Sequence, residues 1–147
     1  MNDRMKRILK EGKQDERRTK TRFIAEEIIE KTKLIKECII YDEKQDLDES
    51  KINFDIILKI VKDLTRYDIS CNELRFYQDE IPVDQILYFV ESIESLLSLK
   101  YKERKFGIIV SIQKEEIELR FHTFREYEGL WLDSDLNKYD IPILYHL

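Results

Sequence analysis

The sequence predicts an α+β fold, with about three helices packed on one face of a small antiparallel sheet. Three observations carry this. Apolar residues recur at helical spacing through the first two thirds of the chain, and the period changes to two after residue 105. Only three Gly and two Pro interrupt 147 residues, so long irregular loops and Gly-rich phosphate cradles are not expected. The length suits one domain. The expected division is a basic polar arm or frayed helix over residues 1–20 and a single α+β domain over residues 21–147.

Each element follows from its local pattern. Residues 1–20 are charge-dense, with Ile8 and Leu9 as the only large aliphatic side chains besides Met1 and Met5. Ile24, Ile28, Ile35 and Ile39 then form a helical stripe flanked by Phe23, Leu34 and Cys38, which predicts a helix from residue 21 to 40 or 41. Residues 42–50 carry Asp42, Glu43, Asp46, Asp48 and Glu49 and read as an exposed loop. Ser50 or Asn53 can cap the next helix, whose stripe Phe54, Ile57, Leu58, Val61 and Leu64 runs to about Arg66. A turn at residues 67–71 leads to a short strand, 74–77. Acidic residues and Pro82 announce a helix carrying Ile86, Leu87, Val90, Ile93, Leu96 and Leu97. Alternation over 106–113 and 116–124, joined by Lys114 and Glu115, predicts a hairpin. Residues 141–147 read as a last strand, with Pro142 at its start or on an edge.

Charge is lopsided. Residues 1–22 carry nine Lys/Arg against four Asp/Glu, and the whole chain is −5, which leaves −10 on residues 23–147. Such a distribution favours an electrostatic binding partner over chemistry. No apolar run is long enough to span a membrane, and the N-terminus lacks the apolar core of a secretory signal, so a cytoplasmic location is expected. Cys38 and Cys71 have no Cys or His at metal-ligand spacing, and a disulfide between them is not expected in that compartment. No hydrolase elbow, P-loop or zinc pattern is present. The chain is therefore expected to be no enzyme and to need no cofactor or metal.

Four groups of residues stand out. Glu118, Arg120 and His122 share one face of a strand, an acid–base pair with a phosphate-holding cation, or simply a solvent face. Asp133, Asp135 and Asn137 open like a calcium loop, but Lys138 and Leu144 occupy the positions that need Gly and Glu, and a capped turn fits the same residues. Arg17, Arg18, Lys20 and Arg22 could meet phosphates, although Asp15 and Glu16 interrupt them and no aromatic residue precedes Phe23. Residues 126–133, continuing to 139–140, hold the only Trp and two Tyr among acids: Glu126, Glu128, Trp131, Asp133, Asp135, Tyr139 and Asp140 make the candidate partner-binding surface. Trp131 and Leu132 could equally pin this segment to the core.

The run Arg120-Phe121-His122-Thr123-Phe124-Arg125-Glu126, then Glu128 to Leu132, Asp135-Leu136 and Asp140 to Leu144, resembles small immunity proteins of Gram-positive polymorphic toxin systems, including the LXG type. The resemblance covers the last third of the chain. It implies a cytoplasmic, non-enzymatic protein that binds one cognate protein toxin, in some cases a basic nuclease domain. The acidic balance fits such a partner, since a nuclease presents a basic surface to nucleic acid. Two alternatives remain open: a nucleic-acid-binding or regulatory protein using the basic arm, and a small ribonuclease-like enzyme using Glu118, Arg120 and His122.

Overall fold

The computed structural model describes residues 1–11 and 18–147. In chain order the elements are α1 (Asp3–Glu11), α2 (Arg18–Glu30), β1 (Thr32–Ile35), β2 (Cys38–Tyr41), α3 (Phe54–Val61), α4 (Leu64–Cys71), β3 (Glu73–Tyr77), α5 (Ile86–Lys100), β4 (Phe106–Gln113), β5 (Glu116–Thr123) and β6 (Ile143–His146). Short 3₁₀ turns cover Glu49–Lys51, Val83–Gln85 and Leu136–Lys138. The fold is α+β, with both sheets antiparallel: a four-stranded sheet ordered β3-β5-β4-β6 and a two-stranded hairpin β1-β2. Among the described residues there are five helices rather than about three.

The sheet is covered on both faces. Ile108, Val110 and Ile112 of β4 and Ile117, Leu119 and Phe121 of β5 point into the main core. There they meet Ile86, Phe89, Val90, Ile93 and Leu97 of α5 and Ala25, Ile28 and Ile29 of α2. On the opposite face Ile109, Ile143 and Tyr145 lie under Ile69 of α4 and under Trp131, Leu132, Leu136 and Tyr139 of the long β5–β6 connection. This explains why β4 is buried along nearly its whole length, as a strand covered on both faces must be.

Two predicted helices are corrected. The helix expected to reach residue 40 or 41 ends at Glu30, and the β1–β2 hairpin follows. Thr32 Oγ1 donates to the Ile29 carbonyl at 2.6 Å, and Lys100 Nζ donates to the Ile29 and Thr32 carbonyls at 3.0 and 2.8 Å. A hydroxyl and a cation thus satisfy carbonyls at the end of α2 and stop it. The hairpin turns in two residues, with Lys36 at φ 54°. Ile35 and Ile39 matched the helical stripe by spacing, but the β-branched run around them prefers a pleated surface. The helix expected to run to Arg66 splits at Lys62, which takes φ 72°. Asp63 then caps α4 by accepting the Arg66 N–H at 2.6 Å, so residues 67–71 are helix rather than turn.

The remaining expectations stand close to their observed bounds. The strand read at 74–77, the helix carrying Ile86 to Leu97 and the hairpin after residue 105 are all present. The last strand is shorter than expected and lies on an edge, with Pro142 just ahead of it. Part of the basic N-terminal stretch forms α1, with Met5 fully buried in the main core. Asn2 Oδ1 accepts the N–H groups of both Met5 and Ile143, at 3.0 and 3.1 Å. The start of the chain therefore covers the outer edge of β6 at Ile143, where unpaired groups would otherwise invite strand addition.

Asn72, buried at the end of α4, joins the two sheets. Its Nδ2 donates to the Ile39 carbonyl at 2.7 Å and the Phe121 carbonyl at 3.2 Å, while its Oδ1 accepts the Tyr41 N–H at 2.7 Å. Replacing Asn72 by Ala strands one buried donor and two acceptors. It should lower stability by about 3 kcal/mol in urea unfolding; a loss under about 1 kcal/mol contradicts this role for Asn72.

Candidate functional site: an acidic loop pinned by a buried arginine

The β5–β6 connection is long, and its residues do two jobs. Arg125, at its start, is buried, and its guanidinium reaches three other segments. Nη1 donates to Asp68 Oδ2 of α4 at 3.0 Å, and Nη2 donates to the Glu37 carbonyl in the β1–β2 turn at 2.7 Å. Thr65 Oγ1 and the Thr123 carbonyl lie at 3.4 Å from Nη1. A guanidinium presents five donors in a planar fork, which suits one group tying several chain segments together.

Glu128 completes the arrangement. Its carboxylate accepts the Leu64 and Thr65 N–H groups, each at 3.0 Å, and the Thr65 hydroxyl at 2.7 Å. These are free N–H groups of the first turn of α4, where a negative charge is favoured. Glu128 also sits 3.7 Å from Arg125 Nη1. Loop and helix thus fix each other through two carboxylates around one guanidinium.

The buried network shifts its own protons. Burial raises the Asp68 carboxyl to about 6, against the opposing pull of Arg125 and the Thr123 N–H. Burial, with Asp68 alongside, pushes the Cys38 thiol up to about 12. Cys38 and Cys71 are both free, and burial raises Cys71 as well, so neither resembles an activated nucleophile.

The structure distributes the candidate surface unevenly. Glu126 and Asp140 are exposed, and Asp140 lies 3.7 Å from Arg4. Glu128 is turned inward as described. Asp133 accepts the Asp135 N–H at 2.9 Å and pairs with Lys138 Nζ at 2.8 Å. Asp135 accepts the Asn137 N–H at 3.2 Å and caps the Leu136–Lys138 turn. The calcium-like opening is thus a capped turn whose own lysine answers its charge, and the capping residue is Asp135. Trp131 and Tyr139 are half-buried against the sheet, with the Tyr139 hydroxyl accepting the Asp133 N–H at 3.1 Å. The exposed aromatic is Tyr127, 75 % accessible, with Leu130 beside it at 47 %. The second acidic loop is also partly structural: Asp42 is buried, pairs with Lys33 at 2.7 Å and accepts the Leu47 N–H.

Glu118, Arg120 and His122 do share one face, as strand alternation requires, but they do not form an open acid–base set. Glu118 and Arg120 pair with each other and with Glu73 and Arg75 of β3. His122 is fully buried, between the Thr123 carbonyl at Nδ1 (2.8 Å) and the Tyr145 hydroxyl at Nε2 (2.7 Å). Burial lowers its pKa, so the ring is neutral, donating from Nδ1 and accepting at Nε2. The neighbouring strand must carry glycine here: a Cβ on Gly107 would overlap the His122 ring and lie 2.9 Å from the Tyr145 ring. Of the basic arm, Arg18 lies over the Tyr88 ring at 5.2 Å and Arg22 pairs with Glu26, while Arg17 falls outside the described residues. Among the described residues no helix is long and apolar enough to cross a membrane. No group of three or more His, Cys, Asp or Glu there could hold a metal ion.

Two outcomes are expected. Gly107→Ala should destabilise by about 2 kcal/mol or more, because a methyl group forced into a packed site costs about 1–3 kcal/mol; an unchanged urea midpoint contradicts the packing. The second outcome concerns pH. Because the folded Asp68 holds its proton above its ordinary value of 3.8, its contribution is full below that value and is lost as pH rises through about 6. The stability of the wild type minus that of Asp68→Asn should therefore fall by about 2 kcal/mol between about pH 4 and pH 7. A difference that is flat or rises with pH contradicts it.

Comparison with curated proteins and with solved structures finds no match. A sequence profile matches residues 1–146, nearly the whole chain, and on that match the chain belongs to the uncharacterized protein PM0498 family.

Proposed function

We propose that this chain is an immunity protein that neutralises a cognate protein toxin in the cytoplasm by stoichiometric binding. The observation that carries the reading is Tyr127. It is 75 % accessible, next to exposed Glu126, on a loop held from beneath by Glu128 and Arg125. A rigid aromatic anchor within a charged rim is the composition of a binding hot spot. A loop already fixed in place loses little freedom on binding. The net charge of −10 over residues 23–147 would speed encounter with a basic partner, such as a nuclease domain.

The contact surface under this reading is Glu126, Tyr127, Leu130 and Asp140. Asp133 and Asp135 hold the loop's shape, so reversing their charge would test folding and recognition together. The working experiment is capture of partners from the native cells, then expression of the recovered protein alone and with this chain. The expected result is one partner at near-equal stoichiometry that stops growth alone and is harmless with the chain. Tyr127→Ala should weaken that complex about a hundredfold, mainly through faster dissociation. Glu126→Lys with Asp140→Lys should slow association and flatten its salt dependence. A harmless partner, or protection untouched by these variants, contradicts the reading. Recovery of nucleic acid without a protein partner would move it to the basic N-terminal stretch.

A further inference from the structure

The exposed surface of α3 is at odds with its sequence. Six of the eight residues, Phe-Asp-Ile-Ile-Leu-Lys-Ile-Val, are apolar, a composition suited to a helix covered on most sides. Only one side is covered. Phe54 points inward, edge-on to Tyr67 at 5.7 Å and beneath Lys36 Nζ at 4.5 Å. Ile57 and Val61 are half-buried. Ile60 is 72 % accessible, and Ile56 and Leu58 are exposed as well.

At 3.6 residues per turn, Asp55, Ile56, Lys59 and Ile60 fall on one face. It is two isoleucines bordered by one acid and one base. Asp55 and Lys59 stand one turn apart in the order that favours an ion pair along a helix. Among the described residues they form no ion pair with each other or with another side chain. The face is neutral and carries both signs, so it does not select a strongly basic or strongly acidic partner. It does match itself.

We propose that α3 is the contact of a two-fold dimer of this chain, in which the helix packs antiparallel against the α3 of a second copy. In a two-fold contact each residue meets its complement twice. Setting Ile56 of one copy opposite Ile60 of the other buries both isoleucine pairs. The same register brings Asp55 of one copy within two residues, about 3 Å along the axis, of Lys59 of the other, twice over. A parallel pair would instead set Asp55 against Asp55. Eight residues make a helix of about 12 Å. That contact falls well short of the ~800 Å² per partner of a standard interface, so the dimer is reversible and concentration-dependent. This inference stands apart from the toxin reading and does not depend on it.

Sedimentation equilibrium on the full chain over a wide concentration range tests it. The expected result is a reversible monomer–dimer equilibrium. Ile60→Asp, at an exposed position, should weaken it at least about tenfold while leaving the circular dichroism spectrum and Tm unchanged. Asp55→Lys and Lys59→Asp should each weaken it, and the double exchange should restore it, because the swapped pair is again complementary to itself. A chain that stays monomeric at every concentration overturns the proposal. So does a dimer indifferent to Ile60→Asp, or a double exchange no better than its single parents.

Discussion

The arrangement of the β5–β6 connection and of the elements it touches depends on one guanidinium. Arg125 is placed by the end of β5, and its donors reach α4, the turn of the β1–β2 hairpin and the loop that follows it. Without it Asp68 would be a buried carboxylate with its main cationic partner gone, which is among the costlier defects a fold can carry. Burial already raises the Asp68 carboxyl to about 6 with the guanidinium in place, so the pair is held by geometry as much as by charge. Glu128 extends the same network to the first turn of α4. Loop, helix and hairpin are therefore one electrostatic unit rather than three neighbours.

This unit explains how a long connection between two strands can be both polar and fixed. Its buried side lays Trp131, Leu132, Leu136 and Tyr139 across Ile109, Ile143 and Tyr145. Its polar side uses Asp133, Asp135 and Lys138 to satisfy its own turn. Also exposed along this connection are Glu126, Tyr127, Leu130, Ser134, Asn137 and Asp140. The opposite sheet face carries the main apolar core under α2 and α5.

Where period and chemistry agreed, the sequence was a sound guide. The alternation in β4 and β5 and the stripe of α5 were legible because strand and helix periods cannot be confused over that many residues. Residues 32–41 were not, because Ile35 and Ile39 fall on a helical stripe by chance while four-residue strands are too short to show their own period. The break at Lys62 was hidden for a different reason: a lysine in a left-handed conformation stands where glycine is the usual signal. Which residues of the candidate segment are exposed was not legible one by one. Composition left Trp131 open as interface anchor or core pin and marked Glu128 as a surface acid; packing sets Trp131 against the core, turns Glu128 inward and leaves Tyr127 out. Arg125 gave no pattern at all, since a lone arginine among acids looks like any solvated cation until the chain closes around it.

The most direct test of this account is amide hydrogen exchange in the wild type and in Arg125→Met, followed residue by residue. If the guanidinium holds the loop, the N–H groups of Leu64, Thr65 and Thr123 and those of residues 126–140 should exchange markedly faster in the variant. Those of Val110 and Leu119, deep in the sheet, should stay slow. Equal acceleration everywhere would mean that Arg125 contributes only to global stability. No acceleration in the loop would mean that its apolar contacts alone hold it in place.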